Sequence, residues 1–391
     1  MPNAGICNRG NAGKVKLVAE EFFLNNEKHK KTRKIVIDAS VCREPASGVH
    51  LAARHSVQAE IPFLKNSFEP MLIANFSVPG IECVPPPSWA KNAPGRIAWQ
   101  QFALPRLLRR HGAEILHAQA YTMPLKCTIP VLLNVHDIIA LEYPEWCSRR
   151  NAWHMRTLLP ASIRKAEKCL VPTRHVAERI YSVLGIPFRK IEVVSWGVDF
   201  RRFSTRVPLE ELQIPKEYFL FVGNIEPKKN LELLLKAYAS CAERTRLALV
   251  IVGRAGWKCR DTLKALRHWK GPGKIYWMGR LPDQSLTAVY QQATALIMPS
   301  LEEGFGLPVL EGMAAGIPVL HSKHPALIEV AGGAGLAFSQ YDSDELAKLM
   351  IKISENPDLR KELIRAGRER AHFLSWERCG RLTADILMNM G

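Results

Sequence analysis

Two glutamates, Glu303 and Glu311, stand eight positions apart in the segment EEGFGLPVLEGMAAGIPV, residues 302–319. Between them lie two glycines and Pro308, which suits the first residue of a helix because the N–H that proline lacks has no partner there. Free N–H groups at the start of a helix bind anions such as a diphosphate, and carboxylates accept hydrogen bonds from hydroxyl groups. The segment therefore predicts a site for a diphosphate and for sugar hydroxyls.

Each glutamate alone has an ordinary explanation, because Glu311 complements a helix dipole and Glu303 is a common kind of loop acid. Their pairing at a strand-to-helix junction favours a site. We expect Glu303 in the loop and Glu311 in the first turn of a helix that ends at Gly316. Gly304 and Gly306 should let a ligand approach the backbone closely.

These residues must be positioned by regular elements, and the sequence alternates between short strand-like runs and helical stretches. The first series extends from KIVIDASV at 34–41 to IEVVSWG at 191–197, and the second extends from EYFLFVG at 217–223 to GLAF at 335–338. Strands that alternate with helices form parallel sheets with helices on both faces. The sequence therefore predicts an α/β fold of two Rossmann-like, doubly wound domains whose strand ends face a central cleft.

The predicted organisation has five parts along the chain. A basic, mobile tail precedes the first domain, a linker with proline and charged residues joins the two domains, and a C-terminal helix packs back toward the first domain. The parts are the tail at 1–33, the first domain at 34–200, the linker at 201–215, the second domain at 216–372 and the helix at 373–391.

Composition narrows the classes of partner. The chain has 391 residues, a net charge of +17 and a pI near 9.6, which favours phosphorylated molecules, anionic lipids or nucleic acid. No zinc-finger, RNP or basic-zipper motif accompanies the charge, so nucleic acid is not the expected partner. Nine cysteines without a C-x-x-C, no signal-peptide core and no apolar run of bilayer length predict a cytoplasmic protein.

Two segments of the first domain concentrate positive charge. Residues 96–112 carry four arginines and no acid, and residues 149–168 carry six basic residues against Glu167. Each segment alone has the pattern of an ordinary amphipathic helix with a solvated basic face. Together they also match a footprint for anionic lipid, so we expect a peripheral association with the inner face of a membrane.

The stretch PSLEEGFGLPVLEGMAAGIPVL resembles the donor-binding signature of retaining glycosyltransferases of family 4, which have two Rossmann-like domains in the GT-B architecture. FVGNIEPKKNLELLLKAY, MGRLPDQSLTAVYQQA and IEVAGGAGLAF resemble further segments of the same family. The resemblance covers most of residues 34–378 and is densest from 217 to 338. It implies transfer of a hexose-type sugar from a nucleotide-diphosphate donor in the second domain to an acceptor beside the first, with retention and without a metal or other cofactor.

The resemblance also implies roles for individual residues. Glu303 would hold hydroxyls of the transferred sugar, Glu311 would hold the ribose, and Lys229 would neutralise the leaving diphosphate. His136 would line the donor sugar and approach the acceptor, although a histidine at a strand end is often only hydrogen-bonded. The sugar and the phosphates would also meet the N–H groups around Gly304, Phe305, Gly306 and Leu307.

Some positions depart from the family pattern. Asn224 stands where many relatives place an arginine, so a second phosphate cation would come from Lys228 or Arg254 or be absent, with Lys228 more typical of a solvated neighbour. Gly48 remains from a G-x-G loop whose second glycine is replaced by His50. The loop around Gly48 is therefore predicted to approach the phosphates or the acceptor with less backbone freedom.

Two further features are assigned structural roles. Trp196 replaces a family asparagine in SWGVD, and we predict that it packs in the linker only. The D-x-D of Asp342 and Asp344 resembles a metal-binding signature of another glycosyltransferase architecture, but it precedes a helical pattern in which Asp and Ser are ordinary caps. We therefore predict no metal site.

The resemblance guides the choice of substrates. Relatives with the G-x-I-E-P-x-K-N loop often use mannose-like donors in surface-polysaccharide assembly, so GDP-mannose is the first choice of donor. A saccharide or polyprenyl-linked saccharide of a polysaccharide or lipopolysaccharide is the expected acceptor. A sugar-nucleotide-dependent synthase or a phosphorylase on the same fold is the alternative among enzymes, and a basic nucleic-acid-binding protein with a degenerate enzyme fold is the alternative of another class.

Overall fold

The computed structural model describes residues 32–42, 48–147, 149–203, 205–208 and 212–390, without the side chains of residues 149–153. The predicted mobile tail lies outside the described residues except for its last two positions, and Arg33 already belongs to the first strand.

The first domain is built on a sheet of seven strands. These are β1 (Arg33–Asp38), β2 (Phe68–Ile73), β3 (Glu82–Val84), β4 (Ile115–Ala118), β5 (Val131–Asn134), β6 (Lys168–Val171) and β7 (Ile191–Val193). The strands are all parallel and their order is β3-β2-β1-β4-β5-β6-β7. The order reverses between β1 and β4, which is the switch point where doubly wound sheets bind ligands.

The second domain repeats this plan with six parallel strands. These are β8 (Tyr218–Val222), β9 (Ala248–Val252), β10 (Ile275–Gly279), β11 (Ala295–Met298), β12 (Val319–Ser322) and β13 (Leu336–Phe338). Their order is β10-β9-β8-β11-β12-β13, with the switch point between β8 and β11. The predicted fold class, two doubly wound α/β domains, is confirmed.

Fourteen α-helices are seen in the described residues. They are α1 (Gly48–Leu64), α2 (Ala93–Ala98), α3 (Leu104–His111), α4 (Ile139–Glu142), α5 (Arg149–Lys165), α6 (Arg174–Leu184), α7 (Leu231–Thr245), α8 (Arg260–Arg267), α9 (Asp283–Gln292), α10 (Leu307–Ala315), α11 (Pro325–Ala331), α12 (Ser343–Glu355), α13 (Pro357–Phe373) and α14 (Trp376–Met388). Every residue of β5 and of β9 is buried. Because neighbouring residues of a strand point to opposite faces, both sheets are covered on both sides.

The sequence pattern did not identify β2, β3 or α11. The run FEPMLI of β2 contains Pro70, and a proline argues against a strand because it cannot donate to the ladder. The register explains why it is tolerated here: Pro70 pairs with Ile35 of β1, while β3 begins to pair only at Met71.

The chain crosses between the domains at two adjacent places. The N–H of Val198 donates to the carbonyl of Leu374 at 3.1 Å, so the outgoing and returning segments touch. A Cβ on Gly197 would collide with the backbone of Ser375 and Trp376. After the second crossing, α14 packs against α1 and buries Ala384 with strand residues of the first domain. The last helix therefore completes the core of the first domain.

Candidate active site

The carboxyl ends of the two sheets border one cavity of about 640 Å³. Segments that follow β4 and β5 form one wall, and segments that follow β8, β9 and β11 form the other. The cavity lining includes all the residues that the sequence assigned to the site: Gly48, His136, Asn224, Lys229, Arg254, Glu303, Gly304, Phe305, Gly306, Leu307 and Glu311.

Glu303 and Lys229 form a largely buried ion pair in the cavity wall. Lys229 ends a short 3₁₀ turn after β8, and Glu303 follows β11, which pairs with β8 in the sheet. Nζ of Lys229 lies 2.5 Å from Oε1 of Glu303, and the hydroxyl of Ser300 donates to the same oxygen at 2.8 Å. Burial alone would raise the pKa of Glu303, but Lys229 and Lys228 hold it below its usual range. Glu303 is therefore a carboxylate, able to accept hydrogen bonds from hydroxyl groups.

Lys228 also lines the cavity, which corrects its interpretation as a solvated neighbour. Burial would lower the pKa of its ammonium group, but the carboxylates of Asp137, Glu303 and Glu226 raise it above the usual value. Its carbonyl accepts a hydrogen bond from the N–H of Leu301 at 2.7 Å. This bond connects the segment after β8 with the segment after β11, which contains Glu303. Two cations, not one, therefore lie close to Glu303.

Glu311 lies in the second turn of α10 rather than in the first, because the helix begins at Leu307. Its Oε1 lies 3.2 Å from Nη1 of Arg202, and its Oε2 accepts a hydrogen bond from the Tyr290 hydroxyl at 2.8 Å. Burial raises the pKa of Glu311, and the nearby Arg202 only partly offsets this effect. Arg202 belongs to the linker and was missed, because a single arginine in a loop leaves no periodic signal.

The two glycines before α10 are required for different reasons, one for its backbone conformation and the other for a close contact. Gly306 has a φ of 96°, a left-handed conformation in which a side chain would be strained and would collide with Leu327. A Cβ on Gly304 would collide with the carbonyl oxygen of His136, and the Thr173 hydroxyl donates to the carbonyl of Gly304 at 2.9 Å. The first domain occupies the space beside Gly304, which corrects the predicted reason for this glycine.

The side chains of the same loop divide between core and cavity. Phe305 is only 1% exposed and belongs to the core of the second domain, so it can offer a ligand little beyond its backbone. Leu307 is the first residue of α10, so its N–H has no partner within the helix and lies at the cavity wall. Pro308 has no N–H, and the N–H of Val309 donates to the carbonyl of Gly306 at 2.9 Å. The loop can therefore present backbone donors to an anion.

His136 is buried at the first-domain side of the cavity. Its Nε2 lies 2.8 Å from the carbonyl oxygen of Gln119, and its ring lies between those of Tyr121 and Trp196 at 5.2 Å each. Burial lowers the pKa of His136 to about 4. The imidazole is therefore neutral at physiological pH.

The sequence predicted that Trp196 only packs in the linker, but in the structure it also lines the cavity. Its ring centroid lies 5.2 Å from that of His136 and 5.1 Å from that of Phe305, and the side chain lines the cavity. Trp196 therefore makes an aromatic bridge between the two domains.

The remaining predicted residues lie in other parts of the lining. Gly48 is the exposed first residue of α1, and Arg254 is exposed after β9. The side-chain amide of Asn224 donates to Glu226 at 3.4 Å. Outside the cavity, Asp342 caps α12 by accepting hydrogen bonds from the N–H groups of Asp344 and Glu345 at 2.9 Å, so its predicted role as a cap is confirmed.

The basic segment 96–112 forms α2, a π-helical turn and α3. Arg106, Arg109 and Arg110 are exposed, and Phe102 beside them is 67% exposed. Among the described residues, no helix combines the length and the apolar character that a bilayer crossing requires.

Comparisons with known proteins define the class. A family model described as glycosyl transferases group 1 matches residues 209–370, and one described as glycosyltransferase family 4 matches residues 50–202. WaaG, a glycosyltransferase involved in lipopolysaccharide biosynthesis, superposes with a TM-score of 0.70 at 16% identity over 91% of this chain and 100% of its own. HepE of Anabaena, solved with UDP and glucose, superposes with a TM-score of 0.69 at 17% identity over 92% of this chain and 100% of its own. The protein is thus a glycosyltransferase with the two-domain GT-B architecture.

Sequence relatives agree with this class. O-antigen chain mannosyltransferase B of Escherichia coli is 28% identical over 73% of this chain and 75% of its own length. O-antigen chain mannosyltransferase RfbU of Salmonella typhimurium is 27% identical over 59% of this chain and 64% of its own length. Since the two family models together span most of both domains, the chain belongs to glycosyltransferase family 4.

Proposed function

We propose that this glycosyltransferase moves mannose from GDP-mannose to a lipid-linked saccharide in O-antigen or lipopolysaccharide assembly, with retention of the anomeric configuration. The names of the Escherichia coli and Salmonella relatives support the sugar and the process. One observation carries the donor chemistry: Lys229 and Glu303 lie 2.5 Å apart, and Glu311 lines the same cavity.

Positive charge lies where a diphosphate would leave. Lys229, Lys228 and the N–H of Leu307 at the start of α10 would stabilise the negative charge that develops on the departing phosphate. Glu303 would accept hydrogen bonds from the sugar hydroxyls, and Glu311 from the ribose. Because these groups supply the needed charge, we expect transfer without Mg²⁺ or Mn²⁺. Activity that depends strictly on added Mn²⁺ would contradict this part of the proposal.

The acceptor hydroxyl must lose a proton as it attacks. We assign this proton to the leaving phosphate on the same face of the sugar, because two candidate bases of the cavity wall are poorly suited to take it. The buried His136, with a pKa of about 4, is too weak a base, and Glu303 is held by Lys229 and Ser300. A covalent sugar adduct trapped on Glu303 would overturn this mechanism.

A thermal-shift screen tests the donor. A ligand that binds only the native protein raises the melting temperature, so GDP-mannose should raise it more than UDP-, ADP- or dTDP-sugars do. The variant Glu311→Gln should lose most of the shift, because it removes the charged acceptor for the ribose. Stabilisation by nucleic acid and by none of the nucleotide sugars would instead favour the nucleic-acid-binding alternative.

Exposed arginines near Phe102 suit a peripheral contact with an anionic membrane, where the lipid-linked acceptor would lie. Each basic residue near such a surface contributes about 1 kcal/mol, so replacing Arg106, Arg109 and Arg110 by glutamine should weaken binding to anionic vesicles strongly at low salt. The matched control replaces three exposed lysines of α12 and α13, Lys348, Lys352 and Lys361, and should bind as the wild type does. Equal sedimentation of both triple variants would remove the membrane contact.

A further inference from the structure

Two histidines and a glutamate lie close together between the domains, next to the loop that joins β11 to α10. His175 lies on α6 of the first domain, Glu302 directly precedes Glu303, and His324 is the residue before α11 of the second domain. One ring nitrogen of each histidine and one carboxylate oxygen lie within 4.8 Å of one another. The three side chains do not line the donor cavity, and the donor chemistry does not use them.

The distances are close to those of a metal site. Nε2 of His324 lies 3.0 Å and Nε2 of His175 lies 4.0 Å from the same oxygen, Oε2 of Glu302. The ligand atoms of a tetrahedral zinc site with bonds of 2.0–2.2 Å are about 3.4 Å apart. Shifts of about 0.4 Å and 0.6 Å would bring the two nitrogen–oxygen distances to this value, and the two histidine nitrogens already lie within 4.8 Å of each other.

A neighbouring side chain orients the carboxylate. The hydroxyl of Tyr143, in the first domain, donates to Oε1 of Glu302 at 3.0 Å, which leaves Oε2 facing the two imidazole rings. Partners of this kind, one step removed from the ion, fix the ligands of natural metal sites. The cluster therefore has an oriented ligand before any ion binds.

His324 holds its ligand atom in a buried position, because its side chain is only 3% exposed and its Nε2 faces Oε2 of Glu302. The side chains of His175 and Glu302 remain 14% and 18% exposed, so an ion can reach the cluster from solvent.

We propose that His175, Glu302 and His324 form a site for one divalent transition-metal ion, such as Zn²⁺, which takes ligands from both domains and thereby fastens them together. Imidazole with a carboxylate suits zinc, cobalt or nickel, whereas magnesium, calcium and manganese prefer oxygen ligands. The fourth position belongs to water. Because His175 lies on the first domain and the other two ligands on the second, an opening of the cleft would break the site.

Cobalt is the probe for this site, since four-coordinate Co²⁺ has visible absorption bands that Zn²⁺ lacks. Full-length, tag-free protein is stripped with a chelator and titrated with Co²⁺. We expect one Co²⁺ per chain and displacement by Zn²⁺. Tyr143→Phe should weaken binding about tenfold, and His175→Gln and His324→Gln should weaken it more. His268→Gln, which removes an exposed histidine on the second domain, is the matched control and should bind as the wild type does.

A second readout uses stability. Zn²⁺ should raise the melting temperature of the wild type and of His268→Gln, but not that of His175→Gln. His175→Gln carries this comparison because His324 is buried and its replacement has the greater chance of disturbing the fold, which far-ultraviolet circular dichroism monitors. Absence of Co²⁺ binding in the wild type, or unchanged binding in both histidine variants, would overturn the proposal. Neither result would affect the donor site, which is tested with nucleotides.

Discussion

The two walls of the cavity stand on sheets of the same strand order but differ in chemistry. The wall formed by the second domain contains two ion pairs. Lys229 pairs with Glu303, and Arg202 from the linker pairs with Glu311. Each acid thus forms an ion pair, Lys228 is a second cation close to Glu303, and both pairs are largely shielded from water. Such fixed charges need little rearrangement when a nucleotide diphosphate leaves.

On the first-domain side, aromatic rings flank His136, and the carboxylate of the next residue, Asp137, also lines the cavity. Tyr121 and Trp196 flank the imidazole, which is neutral because burial lowers its pKa to about 4. Under the proposed function, the second-domain wall would stabilise the charge of the leaving diphosphate, and the first-domain wall would shape the space where the acceptor hydroxyl attacks. Four variants test this difference between the two walls.

The largest effect is expected from the cation of the donor wall. Lys229→Ala should lower kcat by about 10²–10³-fold while the protein remains folded, because a fixed charge at the leaving group is lost. Steady-state transfer assays measure this effect. Lys236→Ala, which removes an exposed lysine of α7, is the control and should keep the wild-type rate. A Lys229→Ala enzyme of normal kcat would mean that the donor wall does not work by charge.

Gly304→Ala tests whether the two walls must touch. The added Cβ would collide with the carbonyl oxygen of His136, so the domains would be held apart. Misplacement of this size lowers transfer by about 100-fold, whereas nucleotide binding to the second domain should change much less. Calorimetry with GDP alongside transfer assays separates the two quantities. Equal losses in both would show that Gly304 acts on the donor site alone.

Arg202→Ala should raise the KM for the donor by about tenfold with a smaller change in kcat. Arg202 positions Glu311 and favours its ionised form, so its loss weakens the acceptor for the ribose. Arg206→Ala, in the same linker but exposed, is the matched control. A KM that rises equally in the two variants would assign the effect to the linker and not to Glu311.

The smallest effect on activity, and a distinct effect on stability, concerns His136. Its pKa in the folded protein is about 4, below the value of 6.5 that it has when unfolded. The unfolded chain therefore takes up a proton first, and stability is lost as the pH falls from 6.5 toward 4. His136→Gln should unfold in urea with a shallower loss of stability over this window, by roughly 2–3 kcal/mol at its acid end. Parallel pH profiles would show that the imidazole is not held neutral.

The sequence could predict the fold and a part of the cavity lining, because both depend on local patterns. Buried strands are continuous apolar runs, and Gly316 with its φ of 77° ends α10 where a glycine was expected to end a helix. Lys229 follows β8 and Glu303 follows β11, and these strands pair in parallel, so their carboxyl ends place the two residues at the same edge of the sheet. The sequence pattern missed β2 because of Pro70. It cannot show that β3 pairs with β2 only from Met71 onward, so that no residue of β3 lies opposite the missing N–H.

Contacts that depend on the arrangement of the two domains could not be predicted. Nothing local distinguishes Arg202 from other linker arginines, and only the crossing of the chain brings it to Glu311. Similarly, the collision that makes Gly304 necessary involves a carbonyl from a residue 168 positions earlier, that of His136. The raised pKa of Lys228 depends in part on the carboxylate of Asp137 in the other domain.

The central claim is that one cavity binds the nucleoside diphosphate of the donor through Lys229 and Glu311. Isothermal titration of GDP into the wild type, Lys229→Ala, Glu311→Gln and the control Lys236→Ala tests it most directly. We predict that each of the two cavity variants binds GDP at least about tenfold more weakly, a loss of about 1.4 kcal/mol, and that the control binds it normally. Unchanged GDP affinity in both cavity variants would contradict the account.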